Sequence, residues 1–251
     1  MYEPRVRVVG AGPLLVLVPG MDGTGELFYR QVPLLARRYR VATYALRENA
    51  VMADLVDDLA GVIRSAAFER RATVVGESFG GTVALSLALA HPEMLDRLVI
   101  LNSFPRFSPQ GRLRLAIAIL GGLPFPWAVM SVVRRLTAFR LHSRHTHARE
   151  IRRFFEVTAR TTRAAYLQRL RVLRNYDVRE RLGEIQAPTL FLASDRDHLV
   201  PAVEQARYMV ERVPHATLRI LRGHGHICLI APDLDLAQIL DAWMGTACSH
   251  S

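Results

Sequence analysis

The chain has 251 residues, half of them hydrophobic, and a formal net charge of +10. That length fits one domain with a sizeable core and room for an insertion, and the composition excludes disordered, fibrous and collagen-like chains. All 33 basic residues are arginine, which coding bias in a GC-rich genome explains, although a basic surface still favours anionic partners.

In chain order, Met1–Arg7 lacks the apolar run of a secretion signal and leads almost at once into a strand. Apolar, strand-like runs follow at Leu14–Val18, Arg40–Ala45, Ala72–Val75, Leu98–Leu101, Thr189–Ala193 and Thr217–Leu221. Helical segments separate most of them. Ala53–Phe68 puts Leu55, Val56, Leu59, Val62 and Ile63 on one face; Gly81–Ala90, Val203–Val213 and Leu234–Trp243 are the others. Strands alternating with helices predict an α/β protein with a mainly parallel central sheet flanked by helices. Ligands on such sheets bind beyond the C-terminal ends of the strands. Cys228 and Cys248 give no disulfide framework, so a cytoplasmic enzyme is the expectation.

Between the runs ending at Leu101 and starting at Thr189 no strand pattern occurs. A structureless connection of that length is foreign to a compact protein, so this segment needs its own fold. Helical periodicity over Arg112–Leu120, Trp127–Phe139 and Arg149–Tyr176, broken at Gly121–Pro126, predicts a helical cap at 104–186, inserted in a core of 1–103 and 187–251. The cap holds 17 arginines against five acidic residues, which accounts for the whole positive balance of the protein.

The chemistry concentrates at strand ends. Gly76-Glu77-Ser78-Phe79-Gly80 stands between an apolar strand and a helix. It places a serine hydroxyl at the apex of a tight turn, with a helix N-terminus behind it. A serine needs a general base, which a third group must orient. After Thr189–Ala193 comes a loop with two acids, Asp195 and Asp197; after Thr217–Leu221 comes a glycine-rich loop with two histidines, His224 and His226. A developing oxyanion needs two backbone N–H donors. Phe79, after the serine, is the first candidate, and the loop Pro19–Gly25 supplies the second.

These loops and their order resemble the α/β-hydrolase superfamily over nearly the whole chain. In that family the acid stands in an Asp-x-x-Val-Pro-like loop, which Asp197–Pro201 matches, and the base follows a glycine in a Gly-x-Gly-His-like loop, which selects His226. The resemblance therefore implies a triad of Ser78, His226 and Asp197, with Met21 and Phe79 N–H as the oxyanion hole. Asp195 then caps a turn, and His224 packs nearby. The family usually has His-Gly-x where this chain has Pro19-Gly20-Met21, so Asp22 or Thr24 is expected to brace the loop instead. The loop Pro-Gly-x-Asp-Gly-Thr-Gly together with Gly-Glu-Ser-Phe-Gly-Gly is similar to the hydrolase portion of phytyl ester synthase-type proteins. It implies esterase- or lipase-like action on small-molecule acyl esters or lipid-like substrates. Serine at the apex also sets the chain apart from relatives that resemble it but use aspartate there, the haloalkane dehalogenases and most epoxide hydrolases.

The same triad serves thioesterases, acyltransferases, lactonases, cofactor-free haloperoxidases and carbon–carbon bond hydrolases, and the fold also serves non-catalytic ligand receptors. A missing triad member would favour a receptor, and none is missing. In the cap, Leu115–Val133 carries no charge. Two short helices roofing an apolar acyl pocket are expected there, with Leu123, Phe125, Trp127 and Met130 as wall candidates. The arginine rim suits peripheral contact with anionic headgroups. The cluster His142, His145 and His147 lies among arginines that oppose a cation. No metal and no cofactor is expected, and with no recognised binding motif, no nucleic acid.

Overall fold

The computed structural model describes residues 5–66, 71–122 and 141–247. Seven strands, β1 (Val6–Val9), β2 (Leu14–Val18), β3 (Arg40–Tyr44), β4 (Ala72–Glu77), β5 (Leu95–Leu101), β6 (Thr189–Ser194) and β7 (Ala216–Leu221), form one sheet in the order β1-β3-β2-β4-β5-β6-β7. The helices among the described residues are α1 (Gln31–Leu35), α2 (Met52–Ala66), α3 (Phe79–Ala90), α4 (Gln110–Gly122), α5 (Ala148–Thr158), α6 (Arg163–Asn175), α7 (Ala202–Val210) and α8 (Leu236–Ala247).

Every described strand pair is parallel except the edge strand β1, which runs antiparallel to β3 with Val6 opposite Tyr44. β2, β4 and β6 are buried along their whole length, because helices cover both faces of a parallel sheet. Successive residues point to opposite faces. Val16 and Val18 of β2 pack into the core shared with α2 and α3, whereas Leu15 and Leu17 face the core built by α1 and α8. The edge strand β7 instead alternates between half-buried and exposed positions up to Leu221, which is buried.

The registers align Val18 with Gly76, Glu77 with Leu101, and Leu101 with Leu192. The loops after β2, β4, β5, β6 and β7 therefore emerge along one edge of the sheet, and the candidate site lies there. α3 sits unusually close to β2: a Cβ on Gly80 would stand 2.2 Å from Val18 O, and one on Gly76 would stand 2.5 Å from Gly80 O. Both contacts are with backbone, so no side chain fits at either position.

The six strands expected from the sequence are present, several extended by a few residues. β1 was legible as an early strand but without bounds; the short α1 carried no readable period. Between β5 and β6 the described residues contain α4, α5, α6 and a 3-10 turn at Arg179–Glu184, and no strand. Gly121 and Gly122 still belong to α4, and the rest of the break expected at Gly121–Pro126 lies outside the described residues. One expectation in this segment needs correction. The run Arg149–Tyr176 is two helices, not one: Ala159–Thr162 separates them, and Thr162 caps α6 by accepting a hydrogen bond from Ala165 N at 3.1 Å. The helix expected at Trp127–Phe139 and the pocket candidates Leu123, Phe125, Trp127 and Met130 lie outside the described residues. No helix among the described residues is long and apolar enough to cross a membrane.

Candidate active site

Ser78 follows β4 and precedes α3 with φ 53° and ψ −117°. A positive φ is unfavourable for any residue with a Cβ, costing on the order of 1–3 kcal/mol, and persists only where neighbours enforce it. Three hydrogen bonds to its backbone do so here. Ser78 N donates to Leu101 O (2.9 Å), and Ser78 O accepts from Gly81 N (3.0 Å) and from Ser103 Oγ (2.7 Å). The hydroxyl consequently stands off the sheet at the N-terminus of α3.

His226 Nε2 lies 2.9 Å from Ser78 Oγ, and His226 Nδ1 lies 2.6 Å from Asp197 Oδ2. A carboxylate only accepts hydrogen bonds, so Nδ1 carries the ring proton and Nε2 is left to accept from the serine hydroxyl. The other oxygen of Asp197, Oδ1, accepts from Leu199 N and Val200 N, each at 2.9 Å, which fixes the carboxylate plane. His226 is buried. Burial alone would depress its proton affinity, but the charge and hydrogen bond of Asp197, with the charge of Glu77, outweigh it and hold the imidazole above its usual value.

The structure thus brings Ser78, His226 and Asp197 together and leaves the alternatives outside. Asp195 Oδ1 accepts from Gly223 N at 2.7 Å, a turn-closing bond. His224 Nδ1 faces Ser143 Oγ at 2.9 Å, and burial lowers its proton affinity. Cys228 is fully buried beneath the loop, and burial pushes its thiol up, away from the nucleophilic thiolate. The three histidines clustered in the sequence diverge: His142 is buried against Phe154, His145 faces Asp233 at 3.9 Å, and His147 precedes α5. Neither ring nitrogen of His142 has a hydrogen-bond partner, and burial lowers its pKa to about 4. No group of three or more candidate metal ligands occurs among the described residues.

The loop after β2 runs against the nucleophile turn. A Cβ on Gly20 would stand 3.6 Å from Ser78 Cβ, so the loop passes the serine at Gly20, the residue before Met21. Both Asp22 and Thr24 brace this loop: Asp22 Oδ2 accepts from Thr24 N (2.9 Å) and from the Thr24 hydroxyl. Thr161 Oγ1 donates to Asp22 O at 2.8 Å, and the buried Arg169 guanidinium donates to Met21 O (2.8 Å) and Asp22 O (3.1 Å). These two residues come from the segment between β5 and β6, and a sequence reading had no means of pairing them with a loop more than a hundred positions away. A cavity of about 650 Å³, lined by Asp22–Glu26, Tyr29, Arg153 and Arg169 among others, lies behind the loop and is not lined by Ser78.

Two further residues escaped the sequence reading. Asn102, at φ 47°, directly follows β5. Its amide donates to His226 O (2.9 Å) and Ser194 Oγ (3.0 Å), and its Oδ1 accepts from Ser194 N at 2.8 Å. It ties the histidine loop to the strand that bears the acid loop. A polar residue directly after an apolar strand was the available signal. Glu77 lies inside the motif itself, 7% exposed, with its pKa raised to about 7. Burial is the main cause, the Asp22 charge adds to it, and His226 partly offsets it.

A family model described as alpha/beta hydrolase fold matches residues 13–231. The RutD protein of Yersinia enterocolitica, named for carbamate hydrolysis, is 31% identical over 205 residues, covering 76% of this chain and 73% of that one. The protein of the same name from Serratia proteamaculans is 27% identical over 246 residues, covering 92% and 91%. Among solved structures, an esterase from Thermogutta terrifontis superimposes with a TM-score of 0.82 at 21% identity, covering 97% of this chain and 93% of that one. At that identity the likeness speaks for the fold alone.

Proposed function

This chain belongs to the alpha/beta-hydrolase fold family, and on that premise we propose that it is a serine hydrolase that cleaves carboxylic esters through an acyl-enzyme on Ser78. The observation that carries the reading is the continuous relay Ser78 Oγ–His226 Nε2 at 2.9 Å and His226 Nδ1–Asp197 Oδ2 at 2.6 Å. In the proposed reaction Ser78 Oγ attacks the carbonyl carbon while His226 Nε2 takes the hydroxyl proton. The carbonyl oxygen, now negative, receives hydrogen bonds from Met21 N–H and Phe79 N–H. Collapse of the adduct breaks the bond to the alkoxy oxygen, which leaves as the alcohol with the proton from Nε2. Water then attacks the acyl carbon, gives its proton to Nε2, and the acid departs as Ser78 recovers the proton. Asp197 stays ionised throughout and supports the imidazolium that forms twice.

In this reading the segment 104–186 is the cap, joined to the core through Arg169, Thr161 and an Arg160–Glu26 ion pair, and Leu123, Phe125, Trp127 and Met130 stay the candidates for the acyl-pocket wall. The Pro19–Gly25 loop supports acyl esters of the phytyl ester synthase type as the substrate class. A second reading, carbamate cleavage through a carbamoyl-enzyme, is favoured by the names of the RutD relatives. It needs the same residues and differs in having nitrogen on the acyl carbon.

A p-nitrophenyl ester series of increasing chain length, run beside a phenyl carbamate, tests both. We expect ester turnover in the wild type and a loss of about a millionfold in kcat for Ser78→Ala. Residual turnover in the variant near the wild-type level would remove Ser78 from the mechanism. Faster turnover of the carbamate than of every ester would replace the first reading with the second.

A further inference from the structure

Glu77 takes no part in the reaction scheme above, yet it occupies the position before the nucleophile. Steric contact explains Gly76 and Gly80, but nothing in the turn requires a carboxyl group between Gly76 and Ser78. An apolar side chain would bury there at far less cost, since a carboxyl taken from water needs hydrogen bonds to replace those it loses. Glu77 is 7% exposed, and its carboxyl accepts no hydrogen bond from a described residue.

Its direction is fixed by its neighbours. Glu77 Oε2 lies 3.9 Å, and Ser78 Cβ 3.6 Å, from the same point, the place a Cβ on Gly20 would take. The carboxyl therefore stands beside the nucleophile, under the loop that offers Met21 N–H. The charged groups that act on it are Asp22, of like sign, and His226, which is positive only when protonated. The Arg169 guanidinium is turned to the carbonyl oxygens of Met21 and Asp22. The site thus presents an acceptor with no hydrogen-bond donor among the described residues.

We propose that Glu77 is a specificity-determining residue, and that its carboxylate receives a nitrogen-borne donor of the substrate, an ammonium group or the N–H of a carbamate, beside Ser78. This deepens the serine-hydrolase reading and rests on it for the identity of the site, while its test does not depend on turnover. A donor of this kind supplies a hydrogen bond that no described residue offers and offsets the repulsion from Asp22. A substrate carrying a carboxylate at the same place would instead meet two negative groups and be rejected.

The test uses binding to the full-length Ser78→Ala protein, at about pH 8.5 so that Glu77 is charged while simple amines remain cationic. Butylammonium and benzylammonium are each titrated against the matching alcohol, followed by NMR chemical shift. Each ammonium should bind at least about 10-fold more tightly than its alcohol. Adding Glu77→Gln should erase that ratio and leave the alcohol affinity within about twofold; adding Glu77→Asp, which keeps the charge, should retain a preference for the ammonium. Equal affinities for ammonium and alcohol in both pairs would overturn the proposal, as would an Asp variant no more selective than the Gln variant. If the preference holds while the wild type turns over no ester or carbamate, the proposal survives and the nucleophile reading fails.

Discussion

Replacing Asp197 by asparagine isolates the orienting group without dismantling its loop. The oxygen retained in the amide can still accept from Leu199 N and Val200 N, both at 2.9 Å, so the turn keeps its shape. The new NH2 then occupies the place of Oδ2, 2.6 Å from His226 Nδ1. Two N–H groups cannot face each other at that distance, so the ring proton moves to Nε2 and Nδ1 becomes the acceptor. Nε2–H now points at Ser78 Oγ, 2.9 Å away, and can no longer take its proton. The expected result is a 1,000- to 10,000-fold fall in kcat, about 4–5.5 kcal/mol of transition-state stabilisation, with KM within about threefold. Steady-state hydrolysis of a p-nitrophenyl ester measures the loss, and a thermal melt shows that the fold persists. Asp195→Asn is the control: its remaining oxygen can still accept from Gly223 N, so activity should stay near wild type. An Asp197→Asn enzyme that melts normally and keeps kcat within about 10-fold of wild type would refute the relay, because the tautomer argument leaves no room for so small an effect.

Arg169→Met removes the donors that hold Met21 O and Asp22 O; kcat should fall about 10- to 100-fold with little change in KM, as expected of a positioning residue behind the proposed oxyanion donor Met21 N–H. Glu77→Gln should move the acid limb of the kcat/KM profile to lower pH, because the Glu77 charge helps hold His226 above its usual value. The same variant tests linkage. Since the Glu77 pKa is raised from 4.5 to about 7, its contribution to stability is complete below about pH 4.5 and is lost as the pH rises through about 7. Relative to wild type, the glutamine variant should therefore gain up to about 3 kcal/mol between about pH 4.5 and pH 8, read from urea unfolding. Gly80→Ala places a methyl group 2.2 Å from Val18 O and 2.7 Å from Pro19 O, neither of which can swing aside, so it should destabilise the fold by about 3 kcal/mol or more in the same assay.

Much of this site is written in local sequence, and the reasons are physical. Strands buried on both faces leave unbroken apolar runs, so β2, β4, β5 and β6 are recognisable from Leu14–Val18, Ala72–Val75, Leu98–Leu101 and Thr189–Ala193. The glycines around Ser78 mark a close approach of helix to strand that only glycine permits. Once the strand ends are known, parallel topology puts the loops bearing Asp197 and His226 on the edge that bears Ser78 without further information. What escaped has a different origin. The break between α5 and α6 depends on a single cap at Thr162, which a period-based reading passes over. Arg169 and Thr161 act on backbone carbonyl oxygens of Met21 and Asp22, and a backbone acceptor leaves no mark on the sequence. Asn102 likewise works through His226 O and Ser194. Glu77 was in view within the motif, but its meaning depends on the neighbours it lacks, which only coordinates reveal.

The central claim is that Ser78 is the nucleophile and that His226 activates it. A fluorophosphonate probe followed by intact-protein and peptide mass spectrometry tests it most directly, because the probe phosphonylates a serine only where a base and oxyanion donors are in place. One equivalent on Ser78 in the wild type, none in Ser78→Ala, and labelling slowed at least about 1,000-fold in His226→Ala is the expected outcome. A wild type that remains unlabelled, or an adduct on any other residue, would contradict the account.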